Sequence, residues 1–195
     1  MKLVLASNNE HKIKQFKSML NNFEILTLEE IGFNDEIEET GSTFLENALI
    51  KAKTISEYLK KKGLEYGVIA DDSGLCIPSL NGAPGIYSAR YAGNHDFKAN
   101  RDKLIEDLKG KDHKGYFMST IVLYYPDGTY IYKEGKTYGT IIEEERGDNS
   151  FGYECIFLSE DLNKTFGEAT LEEKTKISHR GRALAALKEE LNDYI

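Results

Sequence analysis

Cysteine is scarce. Cys76 and Cys155 are the only two in 195 residues, and they show no CxxC spacing. A disulfide framework and a thiolate zinc site are both disfavoured, which fits a reducing compartment. Long apolar runs are missing as well. Leu3-Val4-Leu5-Ala6 is broken at once by Ser7-Asn8-Asn9, too short for a signal-peptide core and far too short to span a membrane. A cytoplasmic location is expected, with no membrane partner. Positive charge is in deficit: 25 Lys and Arg face 33 Asp and Glu, a formal net charge of −8. Such a chain repels polyphosphate backbones at long range, so nucleic acid is not an expected partner. A small anionic substrate stays compatible, because a metal or a few cations can reverse the field locally. Neither GxxxxGK[ST] nor GxSxG occurs, and His11, His95, His113 and His179 suggest no triad. No internal repeat or low-complexity tract stands out.

What is present alternates between strand and helix patterns. Leu3 to Ala6 reads as a buried strand, followed by a polar turn and a helix with Ile13, Phe16 and Leu20 at helical spacing. Thr43-Phe44-Leu45-Glu46 reads as a capping box opening a second helix. Phe44, Ala48, Ala52, Ile55 and Leu59 then recur to about Lys62, with Gly63 as a stop. Val68-Ile69-Ala70 reads as a short buried strand that ends in Asp71-Asp72-Ser73-Gly74. Residues 73–94 are rich in Gly and Pro, a structured loop or small lobe. A helix with Phe97, Leu104 and Leu108 follows. Residues 116–125 and 129–132 form a hairpin around Pro126-Asp127-Gly128. Cys155 to Leu158 reads as another strand, and Leu184, Leu187 and Leu191 mark a final helix. The fold class expected is α/β with a mixed sheet, in a single domain spanning 1–195.

Several segments carry chemistry. Ser7, Asn8, Asn9, Glu10, His11 and Lys12 lie where a strand hands over to a helix. Free backbone N–H groups and the positive end of the helix dipole suit phosphate there, although an ordinary polar N-cap has the same residues. Glu39 precedes the second helix and offers a carboxylate for Mg²⁺; helix-start acids look alike. Asp71 and Asp72 repel one another unless a cation joins them, and Mg²⁺ takes one or two carboxylates plus substrate oxygens. An Asp-rich turn is the plain alternative. Phe151 and Tyr153 are candidates to stack on a nucleobase, with Gly152 allowing close approach; core packing competes. Ser178-His179-Arg180 begins the last helix with donors for an anionic or carbonyl ligand, and Lys174 stands just before it. Together these supply a phosphate cradle, a carboxylate metal site and a base pocket.

The chain resembles the inosine triphosphate pyrophosphatase family. The motifs that carry the resemblance are Ser7 to Lys12, Glu39 to Ala48, Ala70 to Leu75, Gly82 to Tyr91, Phe151-Gly152-Tyr153 and Ser178 to Gly181. The resemblance implies a long mixed, twisted sheet flanked by helices, two lobes around a central substrate cleft, and a homodimer. It implies Mg²⁺-dependent hydrolysis of ITP, dITP and XTP to the monophosphate and pyrophosphate, removing aberrant purines from the nucleotide pool. By position, Asp72 matches the proton acceptor and a metal ligand, with Glu39 and Asp71 as the other metal-site acids. Ser7 to Lys12 match the triphosphate turn. Ser73, Phe151, Gly152, Tyr153, Glu154, Lys174, His179 and Arg180 match the remaining substrate contacts. Glu154-Cys155 departs from the Asp-Pro usual after Phe-Gly-Tyr, which bears on base-side geometry. Two rivals are a related pyrophosphatase for modified pyrimidine triphosphates and a nucleotide-binding module that does not hydrolyse. The purine-side motifs disfavour the first, and retention of both Asp71 and Asp72 disfavours the second.

Overall fold

The computed structural model describes residues 2–148 and 151–192. The architecture is mixed α/β, a six-stranded sheet flanked by helices. The strands are β1 (Lys2–Leu5), β2 (Glu24–Leu26), β3 (Gly67–Cys76), β4 (Lys114–Tyr124), β5 (Tyr130–Ile141) and β6 (Phe157–Ser159), in sheet order β2-β1-β3-β4-β5-β6. β1 pairs in parallel with β2 and β3, while β5 and β6 are antiparallel. The helices are α1 (Glu10–Met19), α2 (Phe44–Lys61), α3 (Phe97–Asp107), α4 (Leu171–Ile177) and α5 (His179–Asn192).

The chain divides into two compact units. The first holds residues 1–72, 119–134 and 183–195; the second holds 73–118 and 135–182.

In the first unit the sheet is covered on both faces. Side chains of a strand alternate between faces. Leu3, Leu5, Ile69, Ile121 and Leu123 therefore pack one way, against Phe16 of α1, Leu20 at its C-cap, and Leu184, Leu187 and Leu191 of α5. Val4, Val68, Ala70 and Val122 pack the other way, against Ala48, Ala52, Ile55 and Leu59 of α2. Apolar residues on both faces explain the continuous Leu3-Val4-Leu5 run. The periodicities read from the sequence are the ones that fill these two layers. Gly63, at φ +69°, follows the Lys62 cap and ends α2.

The second unit has its own core of Leu75, Ile77, Leu104, Leu108, Ile156, Phe157 and Phe166. An aromatic cluster centres on Phe117, with ring centroids 4.5 Å from Phe157 and 5.9 Å from Phe166. Two 3₁₀ helices, Pro78–Leu80 and Gly85–Arg90, fill the Gly/Pro-rich stretch.

Three local expectations need correction. β3 does not stop at Ala70 but runs on through Asp71, Asp72, Ser73 and Gly74 to Cys76. Sheet pairing overrides the poor strand preference of Asp and Gly. Cys155 to Leu158 is not one strand: Glu154–Ile156 is a 3₁₀ turn, and β6 begins at Phe157. Glu46 does not chiefly close a capping box on Thr43. Thr43 does cap Glu46 N–H at 3.1 Å, but Glu46 Oε2 accepts from Ser42 N–H at 2.6 Å, one residue further back. The complete capping box is at Thr170 and Glu173, opening α4, a helix whose T-x-x-E signature is present in the sequence.

Candidate functional site

In the first unit, β1 pairs with β3 only as far as Ile69, whose carbonyl accepts Ala6 N–H at 2.8 Å. The chain then turns away at Ser7. The next carbonyl on that side of β3, Asp71 O, therefore lies past the end of β1. Two lysines reach it instead: Lys51 Nζ of α2 at 2.6 Å and Lys12 Nζ of α1 at 3.4 Å. Two ammonium groups from different helices are thus gathered at one backbone oxygen.

Each lysine also meets a carboxylate. Lys12 Nζ lies 2.9 Å from Asp71 Oδ2, and Lys51 Nζ lies 2.7 Å from Glu39 Oε1. The Asp71 side chain is wholly buried and also accepts from the buried Ser119 hydroxyl at 2.5 Å through Oδ1. Asp71 shares the strand face of Ile69, and Asp72 that of Val68 and Ala70. The two carboxylates therefore point to opposite sides of β3. Asp72 is 8 % exposed, and its carboxyl is pushed from an ordinary 3.8 to about 6. Burial is the main cause. Lys51 and Lys12 act against it, and Glu39 and Asp71 add to it.

The helix start behind Lys12 is locally capped. Ser7 Oγ accepts Asn9 N–H at 3.1 Å, and Asn9 Oδ1 accepts Lys12 N–H at 3.2 Å. Asn8, Glu10 and His11 are exposed around this turn. The segment carrying Glu39 is fixed by α2: the buried Asn47 accepts Gly41 N–H through Oδ1 at 2.8 Å. A Cβ on Gly41 would fall 2.7 Å from that oxygen, so only glycine permits the approach.

Lys51 is the residue that sequence reading missed. Its signal was Asn47 and Lys51, two polar residues one turn apart beside the apolar stripe of α2.

The remaining predicted residues belong to the second unit. Ser73 Oγ accepts from Arg180 Nη2 at 2.9 Å. Lys174 Nζ lies 3.2 Å from Glu154 Oε2, both side chains largely shielded. Ser178 caps α5, accepting Gly181 N–H at 3.0 Å. His179 is buried with its ring stacked on Phe117 at 5.0 Å and 18°. Phe151 is half-buried and meets Phe97 edge-on at 5.1 Å. Tyr153 is only 4 % exposed, and its hydroxyl donates to Ser88 O at 2.7 Å, which makes it an anchor rather than a stacking surface.

Hard oxygen donors beside two ammonium groups suit a small anion accompanied by a hard cation. Among the described residues no three His, Cys, Asp or Glu side chains converge as a metal cage. That donor set does fit Mg²⁺, which takes one or two carboxylates and completes its shell with water and substrate oxygens. Glu39 and Asp72 are the carboxylates suited to it, since both Asp71 oxygens are engaged by Ser119 and Lys12.

An α/β fold with this carboxylate and lysine cluster defines a class, and comparison with known proteins places the chain within it. A model of the Ham1 family matches residues 3–190, and the chain belongs to the Ham1 family. It is 48 % identical over 197 residues to the dITP/XTP pyrophosphatase of Clostridium perfringens, covering 97 % of each chain. It is 44 % identical to the dITP/XTP pyrophosphatase of Bacillus subtilis, covering 94 % of this chain and 93 % of that one. Its fold is similar to the Ham1 protein of Staphylococcus aureus at TM-score 0.88 and 38 % identity, across the whole of both chains. Among the described residues no helix is long and apolar enough to cross a membrane.

Proposed function

We propose that this protein is a nucleoside triphosphate pyrophosphatase that hydrolyses dITP, ITP and XTP to the monophosphate and pyrophosphate, with Mg²⁺. The observation that carries the reading is the convergence of Lys12, Lys51, Glu39 and Asp72 around Asp71 O, in a chain so similar to dITP/XTP pyrophosphatases along nearly its full length.

Lys12 and Lys51 supply positive charge for the triphosphate, and the capped start of α1 adds backbone donors. Asp71 is assigned to orienting Lys12 rather than to holding metal. Asp72 accepts a proton from the attacking water, a task suited to a carboxylate whose pKa has been raised toward neutrality. Mg²⁺ held by Glu39 and Asp72 would neutralise phosphate oxygens. On the base side, Lys174 and Arg180 present donors to a 6-oxo purine, and Phe151 an aromatic face. Adenine carries an amine at the 6-position and would set donor against donor, which polar sites reject strongly. Glu154 holds the Lys174 ammonium in place. The whole chain acts as one catalytic domain in the cytoplasm, and the homodimer follows from the family resemblance; light scattering of the purified protein checks the latter.

Pyrophosphate release from ITP, XTP, GTP and ATP, with Mg²⁺ and with chelator, tests the reading. Metal-dependent release favouring ITP and XTP is expected. Tight nucleotide binding without release would mean a sensor, and equal release from ITP and ATP would discard the selectivity.

A further inference from the structure

The turn at 151–154 is held residue by residue. Two of its holders lie on α3, outside every motif that suggested a base-side role. Phe97 and Arg101 are four residues apart, so they share a face of α3. Phe97 meets Phe151 edge-on at 5.1 Å. Arg101 is 4 % exposed, and its fork reaches two groups among the described residues. Nη1 donates to Gly152 O at 2.9 Å, and Nε donates to Glu145 Oε1 at 2.9 Å. Tyr153 is tied to Ser88 O, and the Glu154 carbonyl accepts Gly167 N–H at 3.0 Å. Gly152 sits at φ +55°, a backbone turn that needs an external hold to keep one conformation.

We propose that Arg101 is a positioning residue for base discrimination: by fixing the Gly152 carbonyl and bridging to Glu145, it sets where Phe151 and Glu154 present themselves to the purine. This rests on the pyrophosphatase reading above. A buried guanidinium is costly to place unless both its donors and its charge are answered. Here one arm answers a carboxylate and the other a carbonyl in the recognition turn. The planar fork makes both bonds in fixed relative geometry, and a lysine ammonium cannot make both from the same place. The residue acts through the turn and not on the phosphates, so its removal should act on base binding and leave the phosphate chemistry alone.

The test compares wild type with Arg101→Met, Arg101→Lys and Glu145→Gln, measuring kcat and KM for ITP and ATP, with calorimetric binding of IMP and AMP. Arg101→Met should raise KM for ITP about tenfold or more with kcat within about twofold. The ratio of kcat/KM for ITP over ATP should fall by a similar factor, and IMP binding should weaken. Arg101→Lys should recover part of the ratio. Glu145→Gln, at a half-exposed position, should move it in the same direction by a smaller factor even if Arg101→Met fails to fold. An unchanged ITP:ATP ratio in the folded variants, or an equal loss of kcat for both nucleotides, overturns the proposal. Wild type that releases no pyrophosphate overturns the pyrophosphatase reading first and the positioning role with it; wild type that hydrolyses ITP but binds IMP and AMP alike overturns the positioning role and leaves the hydrolysis standing.

Discussion

Asp72→Asn should make the protein more stable and nearly inactive at the same time. The Asp72 carboxyl is buried, and folding raises its pKa from 3.8 to about 6 despite Lys51 and Lys12 nearby. The folded state therefore holds its proton more tightly than the unfolded chain does. The associated stability is fully present below about pH 4. It is lost as pH rises through about 6, and by pH 8 the whole cost is felt. A shift of this size is worth about 3 kcal/mol, at roughly 1.4 kcal/mol per pKa unit. Asparagine has the same shape without the charge, but its amide needs acceptors. Its gain at pH 8 should be about 1–3 kcal/mol, or roughly 2–10 °C in Tm for a chain of this length. Urea unfolding of both proteins in chelator, at steps from pH 4 to pH 8, reads this directly. The two stability curves should meet near pH 4 and separate above it, wild type falling. Pyrophosphate release by the variant should drop by about two to four orders of magnitude, the usual worth of a positioned general base. A variant less stable than wild type at pH 8, a gap independent of pH, or near-normal turnover would each refute the reasoning.

Three further outcomes follow from the same geometry. Lys12→Met leaves the wholly buried Asp71 carboxylate without its ammonium and should cost about 3–5 kcal/mol in denaturant unfolding at pH 7. Ser119→Ala removes the 2.5 Å hydrogen bond to the same carboxylate and should cost about 1.5–3 kcal/mol; the double variant should not be additive, since both act on Asp71. Gly74→Ala should destabilise by about 1–3 kcal/mol, because its Cβ would meet the Gly85 carbonyl and Ser88 Oγ, and thermal unfolding checks it.

The helices α1, α2 and α3 and the β4–β5 hairpin were legible from local pattern. Their apolar spacing, caps and turn residues are local, and the core they fill demands that spacing. The candidate residues were legible by type as well: in the first unit the carboxylates Glu39, Asp71 and Asp72 and the Ser7 to Lys12 turn, and in the second unit Phe151 to Glu154, Lys174 and Arg180. Their arrangement follows from long-range pairing and packing. Asp71-Asp72 looks like a turn because neither residue favours strands, yet pairing within the sheet carries β3 through them and sends the two side chains to opposite faces. Asp71 thereby goes to Ser119 and Lys12, and Asp72 to the side of Glu39 and Lys51. Tyr153 and His179 are both shielded within the second unit, Tyr153 donating to Ser88 O and His179 stacking on Phe117, contacts that no local pattern records. Lys51 and Arg101 read as ordinary helical cations, because what distinguishes them lies far along the chain: Asp71 is 20 residues from Lys51, and Gly152 is 51 from Arg101. A pattern confined to neighbouring residues records the period of an element; which charges meet is set by the end of β1 at Leu5 and by the face of α3 turned toward residues 151 and 152.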